Sequence, residues 1–246
     1  MNDLLYIKHP CLSEIKANII KREYDGDFTR LILDRTIFYE NTSHLLDEDF
    51  RISSKKIVKT EIKDNELVHT IKGRPDKSKV ILSLNKDKRI RNLYYNTAFY
   101  LFKAIFYKFY NIEKLDLDIY ENKARLRVFE VFEDIDIEGF KELFKKIIRL
   151  GFDINKDKDL IFIDGFSEFK NEGAYLNNSK YLEGIFIKSF QKFENSLLIE
   201  FIVGDDYLDF VDNNIRLIEN IENIAIGDLE AHEKIRKIIA SLQKNK

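Results

Sequence analysis

Residues 86–110 contain neither proline nor glycine, and their apolar side chains recur at the period of a helix. Ile90, Leu93, Thr97, Leu101, Ala104 and Lys108 fall on one face, and Asn85 offers a side-chain oxygen to an orphan backbone N–H as N-cap. One long helix is thus the fixed element around which the rest must be arranged. Upstream, the apolar residues come in short runs: Ala17–Ile20, Leu31–Leu33, Ile57–Val58, Leu67–Val68 and Val80–Leu84. Turn-forming clusters separate them, among them Asp25-Gly26-Asp27, Asp64-Asn65 and Gly73-Arg74-Pro75-Asp76, a spacing that predicts a small antiparallel sheet or barrel. Downstream, Leu115–Tyr120 and Ala124–Phe132 read as a hairpin. A second amphipathic helix, Ile137–Leu150, stops at Gly151, and strands are predicted at Leu160–Ile163, Gly184–Phe190 and Leu197–Val203. This order gives an α+β fold. From Asp205 two tail helices are expected, joined near Gly227-Asp228, with Leu208, Val211, Ile215 and Ile218 on one stripe and Ile235, Ile238, Ile239 and Leu242 on the other.

Composition narrows the function classes. At 246 residues the chain suits one large domain or two small ones, and 44% hydrophobic with 34% charged residues excludes a disordered or low-complexity chain. A single cysteine, Cys11, excludes both a disulfide framework and a thiolate-cage zinc site. No apolar run approaches the roughly 18 residues of a membrane span, and no leader is evident, so a soluble cytoplasmic protein is expected. Glycine-rich phosphate-binding motifs are missing. Charge is balanced overall, net -2, but not locally. Lys72, Arg74, Lys77, Lys79, Lys86, Lys88, Arg89 and Arg91 face only Asp76 and Asp87 within 72–91, while residues 205–233 are strongly acidic. Such runs are either solvated faces or, for the basic one, a surface that tracks phosphates.

Several stretches resemble the editing proteins that deacylate mischarged alanine tRNA, the free-standing AlaX proteins and the editing domain of alanyl-tRNA synthetase. Leu33-Asp34-Arg35-Thr36-Ile37-Phe38-Tyr39 resembles that family's LDRTxFY strand, and 89–101 resembles its R-x-R-x-M-x-x-H-T-A-x-H-L helix. Leu67-Val68-His69 is similar to a strand lying between them. Residues 172–176, 177–187 and 198–204 lie where the family has C-G-G-T-H and two later strands. The resemblance covers about residues 4–215 and is strongest in the first 105. It implies a small β-rich N-terminal subdomain (1–84) packed on an editing-type α+β sandwich domain (85–204), followed by a helical tail (205–246).

The departures from the family pattern bear on the chemistry. The resemblance implies a zinc ion held by two helix histidines four apart and by a later cysteine and histidine; those positions fall here on Asn96, Tyr100, Glu172 and Leu176. A carboxamide is a weak zinc ligand, a phenol must first lose its proton, and leucine offers nothing, so only Glu172 is serviceable. No cofactor is therefore expected. The family's glycine-rich turn is replaced by Glu40-Asn41-Thr42-Ser43-His44-Leu45-Leu46, where His44 is either an exposed loop residue or an intruding base. Neither the other histidines nor Cys11 form a metal or nucleophile signature, and His232 reads as structural. Aromatic rings surround the long helix, which suits burial between layers better than a stacking platform for single-stranded RNA.

Three functions follow. The first is an aminoacyl-tRNA deacylase acting without metal, with Asn96, Thr97, Tyr100 and Glu172 as site residues. The second is a catalytically degenerate relative, a pseudoenzyme, that binds a tRNA acceptor end through Lys86, Lys88, Arg89 and Arg91. The alternative is a non-catalytic protein-interaction or regulatory module whose tail docks a partner or a second copy.

Overall fold

The computed structural model describes residues 3–132, 134–157, 160–166, 168–226, 233, 235 and 236. Residues 1–204 form one compact unit and 205–246 a second. The fold is α+β.

A two-residue strand β1 (Asp3–Leu4) and one helical turn α1 (Leu5–Lys8) lead into the hairpin β2 (Glu14–Asp25) and β3 (Phe28–Leu33). β4 (Arg35–Thr36) pairs in parallel with β1. With β5 (Arg51–Ile52), β6 (Lys55–Lys63), β7 (Glu66–Lys72) and β8 (Lys79–Ser83), the strands close into a barrel of order β2-β3-β7-β6-β5-β8. Alternation explains its packing: Thr29, Leu31 and Leu33 of β3 point inward, whereas Arg30 and Ile32 do not. The interior is filled by Ala17, Leu31, Leu33, Ile37, Phe38, Ile52, Ile57, Ile71, Val80 and Leu82. β2 pairs with β3 at one end and β8 at the other, and the register shift between Ile19 and Lys21 is the bulge that bends it around the corner.

The long helix α2 (Lys86–Tyr110) has the predicted limits. Asn85 Oδ1 accepts from Lys88 N at 3.0 Å, and Asn111 ends the helix in the left-handed region at φ 53°. It is followed by β9 (Leu115–Ile119), β10 (Ala124–Phe129), α3 (Ile137–Leu150), and the ribbon β11 (Ile154–Asp157), β12 (Leu160–Ile163) and β13 (Glu168–Lys170). A 3-10 turn at Ser179–Leu182 precedes β14 (Ile185–Phe193) and β15 (Ser196–Val203). β14-β15-β10-β9 form an antiparallel sheet with one dry face, covered by α2 and α3. Phenylalanines join the layers: Phe102 lies 4.7 Å from Phe144 and 4.8 Å from Phe201, and Phe106 lies 5.1 Å from Phe140, between ring centroids. Each such buried ring contributes about 1.5–3 kcal/mol, so the aromatics around α2 serve the core. On the outer face Glu200 gathers Lys123 and Arg125.

Two predicted strands change length. The strand predicted to reach Phe132 ends at Phe129, because Glu130 turns the chain at φ 60°; β14 runs on to Phe193 through its turn with β15. In the second unit, α4 (Asp205–Ile226) carries the predicted apolar stripe, with Leu208, Ile215 and Ile218 exposed. The joint at Gly227-Asp228, His232 and most of the second tail helix lie outside the described residues. No helix among those described is long and apolar enough to cross a membrane.

Candidate functional site

Positions 96, 100 and 103 of α2 share one helical face, which looks onto the loop 170–176 that follows β13. Asn96 Nδ2 donates to Glu172 O at 2.8 Å and to Ala174 O at 2.9 Å. The Tyr100 hydroxyl accepts from Glu172 N at 2.6 Å and donates to Lys170 O at 3.4 Å. Thr97 Oγ1 accepts from Leu176 N at 2.8 Å and donates to Leu93 O at 2.7 Å. All three side chains are buried, and burial pushes the Tyr100 phenol well above its ordinary pKa. The helix therefore pins the loop by its backbone. Gly173, at φ +93°, permits the close pass: a Cβ there would stand 2.4 Å from Leu45 Cδ1.

Glu172 turns its carboxylate to Lys103 Nζ at 3.1 Å, and that ammonium also lies 4.3 Å from the centre of the Phe99 ring. Beside this pair a cleft of about 320 Å³ opens between the loop 40–44 and the loop 170–173, with Lys156 and Lys170 on its wall. Thr42 and Asn171 belong to its lining, though Thr42 Oγ1 and Asn171 Oδ1 are themselves buried, without a hydrogen-bond partner among the described residues.

His44 lines the same cleft. Both amide hydrogens of Asn96 go to backbone carbonyls, so its Oδ1 faces His44 Nε2, 3.2 Å away, and accepts. Nε2 thus carries the ring proton and Nδ1 keeps its lone pair. Burial lowers the imidazole pKa, opposed by the Asn96 hydrogen bond and the Glu172 charge. A neutral imidazole of fixed tautomer is suited to taking a proton.

The residues expected to meet nucleic acid divide. Lys86 and Lys88 are exposed on the first turn of α2, Lys88 Nζ donating to Asp47 O at 2.9 Å, and Arg91 is half-buried. Arg89 does not join them. It is fully buried, its Nε bound to Glu48 Oε2 at 2.7 Å and its other nitrogens to Pro10 O at 3.1 Å and Ile37 O at 2.8 Å. Glu48 Oε1 accepts in turn from Tyr39 OH at 2.6 Å and Asn92 Nδ2 at 2.8 Å. A residue so enclosed has no surface to offer a phosphate; it ties the strand 33–39 to α2. His69, also buried, is held between Thr36 Oγ1 and Leu31 O.

At the four positions aligned with zinc ligands, Asn96 Nδ2 and the Tyr100 hydroxyl bond the loop backbone, Asn96 Oδ1 meets His44, Leu176 has no polar side-chain atom, and Glu172 pairs with Lys103. Among the described residues no group of three His, Cys, Asp or Glu is placed to hold a metal. Sequence reasoning placed Asn96, Thr97, Tyr100 and Glu172 together, and they do meet at one loop, three as pins and Glu172 on the cleft. It overlooked Thr42, Lys103 and Asn171; of these only Lys103 carried a signal, standing one turn beyond Asn96 and Tyr100 on the same face.

Barrel, long helix and pinned loop define an α+β protein, and part of its sequence is similar to two known proteins. The chain is 27% identical over 139 residues to alanyl-tRNA editing protein AlaX-L of Pyrococcus horikoshii, covering 52% of this chain and 34% of that one. It is 28% identical over 149 residues to the alanine–tRNA ligase of Methanococcus aeolicus, covering 58% and 16%. It thus spans about a third of the one relative and a sixth of the other. No protein-family model matches.

Proposed function

We propose that this protein binds the acceptor end of tRNA in the cleft between loops 40–44 and 170–173 and hydrolyses the ester of a mischarged aminoacyl-tRNA without a metal. The observation that carries the proposal is His44, which lines the cleft and is fixed as the Nε2–H tautomer by Asn96. Similarity to an alanyl-tRNA editing protein supports the substrate class. In this reaction Nδ1 of His44 takes a proton from water as its oxygen bonds to the ester carbonyl. The carbonyl–ribose oxygen bond then breaks, and the departing ribose oxygen recovers the proton. Lys156 and Lys170 on the cleft wall supply positive charge for the terminal phosphates, and Lys86, Lys88 and Arg91 extend the contact along the acceptor stem. Asn96, Thr97 and Tyr100 are positioning residues that hold the loop bearing Glu172.

The test is deacylation of seryl-tRNA and other mischarged tRNAs, with and without a chelator. Turnover that survives the chelator is the expected result. Binding without turnover would reduce the protein to an acceptor-end binder, and loss of turnover on chelation would restore a metal. A second reading, a protein-interaction module or homodimer formed through the tail, is favoured only by the exposed stripe Leu208, Ile215 and Ile218 on α4. A stable dimer with no tRNA binding would select it.

A further inference from the structure

We propose that the rim of the barrel where the β5–β6 turn meets the β7–β8 loop is an RNA-backbone site, with Lys55, Lys77 and Lys79 contacting phosphates and the Ser53 and Ser54 hydroxyls meeting phosphate or ribose oxygens. The inference rests on the tRNA-binding function above but uses a different surface. These residues line a cleft of about 220 Å³ that shares no residue with the cleft at Glu172.

Lys55 comes from one segment and Lys77 and Lys79 from another, and the fold brings them to one cleft. Lys55 opens β6, Lys77 lies in the loop before β8, and Lys79 begins β8. Gly73 starts that loop at φ +81°, and a Cβ on it would stand 3.3 Å from Lys55 Nζ; the glycine lets the ammonium lie against the loop. The loop is fastened elsewhere. Thr29 Oγ1 donates to Gly73 O at 2.6 Å, and Arg22 donates to Lys77 O at 2.9 Å and Ser78 Oγ at 3.3 Å.

Some exposed lysines find carboxylates, as in Lys8–Asp3 and Lys56–Asp47. Lys55, Lys77 and Lys79 make no ion pair or side-chain hydrogen bond among the described residues, and Asp76 is the sole carboxylate in the cleft lining. Lys72, at the end of β7, and Arg74, in the loop, add exposed positive charge nearby. Cations gathered without partners repel one another, and a polyanion that sheds its own counterions relieves that repulsion. Lysine beside serine, open to solvent along a rim, suits an extended phosphodiester with ribose hydroxyls better than an enclosed free phosphate.

The test is tRNA binding by fluorescence anisotropy between about 50 and 200 mM salt, comparing the protein with its K55A/K77A/K79A variant and with K141A. The triple variant is expected to lose about tenfold or more in affinity, and its plot of log K against log salt to flatten by about 2–3 units. K141A is expected to match the parent. Because the three lysines make no ion pair or side-chain hydrogen bond among the described residues, the thermal midpoint of the triple variant should be unchanged, which separates lost contact from lost fold. S53A/S54A should weaken binding without altering the slope. A parent that binds tRNA with an unaltered triple variant refutes the rim alone; a parent that binds no tRNA refutes the acceptor-end function and the rim with it. Displacement of tRNA by polyglutamate or inorganic phosphate as effectively as by an RNA minihelix would overturn the RNA assignment.

Discussion

Replacing Arg89 by alanine should unfold this protein far more readily than it should weaken any RNA contact. The Arg89–Glu48 pair has both side chains at 0% exposure, so removing the guanidinium leaves a carboxylate buried without its counter-charge. Breaking a buried pair in this way costs about 3–5 kcal/mol. Pro10 O and Ile37 O lose a donor as well, whereas Tyr39 OH and Asn92 Nδ2 still solvate Glu48 Oε1. The remaining hydrogen bonds favour the lower half of the range. With a urea m-value of about 2–3 kcal/mol/M, a loss of about 3–4 kcal/mol lowers the midpoint by roughly 1–2 M. Adding Glu48→Gln to Arg89→Ala removes the orphaned charge, so the double variant should be more stable than the sum of the single losses predicts. Arg89→Lys should recover only part of the stability, since an ammonium cannot serve Glu48 and two carbonyls in one plane. Urea denaturation of the four variants reads all of this. An unchanged midpoint for Arg89→Ala together with a large fall in tRNA affinity would place the guanidinium on a phosphate and refute its structural role.

Three further outcomes follow from the buried groups. His69 is held neutral, with burial lowering its pKa to about 4. Since the unfolded chain takes up a proton near pH 6.5 and the folded one does not, stability is full above that pH. It should fall by about 1.4 kcal/mol per pH unit down to about 4, and a His69→Asn variant that keeps the fold should lose that slope in pH-dependent denaturation. Tyr100→Phe leaves the Glu172 N–H without its acceptor and should cost about 1–3 kcal/mol in thermal unfolding; no change would mean that the loop is held by other contacts. His44→Ala should keep tRNA affinity and slow single-turnover deacylation by about a hundredfold or more. Equal rates would remove His44 as the base.

What could be read from the chain alone depended on how local each cause was. The limits of α2 and α3 were legible where Asn85 and Gly151 act within one turn of the helix they cap. Barrel closure was not, since β8 finds β2 some sixty residues away and β5 is too short to carry a pattern. Arg89 was misassigned for the same reason. It sits in a basic run, and the run does not reveal Glu48, 41 residues earlier in the chain, reaching it from the loop before β5. At the site, the spacing of Asn96 and Tyr100 showed that they share a face. It did not show that their partners would be the backbone atoms of Lys170, Glu172 and Ala174 rather than a ligand.

Those partners show how such a helix face can hold the loop through side chains alone. Where the resemblance implies one zinc ion joining helix to loop, five hydrogen bonds from Asn96, Thr97 and Tyr100 reach the backbone of residues 170–176. At about 1 kcal/mol net each they contribute about 5 kcal/mol, less than the 10–16 kcal/mol typical of a structural zinc but free of any dependence on metal supply. Each of the three side chains therefore contributes to holding the loop, beside the Lys103–Glu172 ion pair. Restoring imidazoles by Asn96→His and Tyr100→His should therefore loosen the loop rather than recreate a site, because Leu176 cannot ligate and four of the five bonds are lost together. Faster amide hydrogen exchange at Glu172 in that variant, with no zinc taken up, is the expected signature. Stoichiometric zinc with a protected Glu172 amide would show that the scaffold retains the older arrangement.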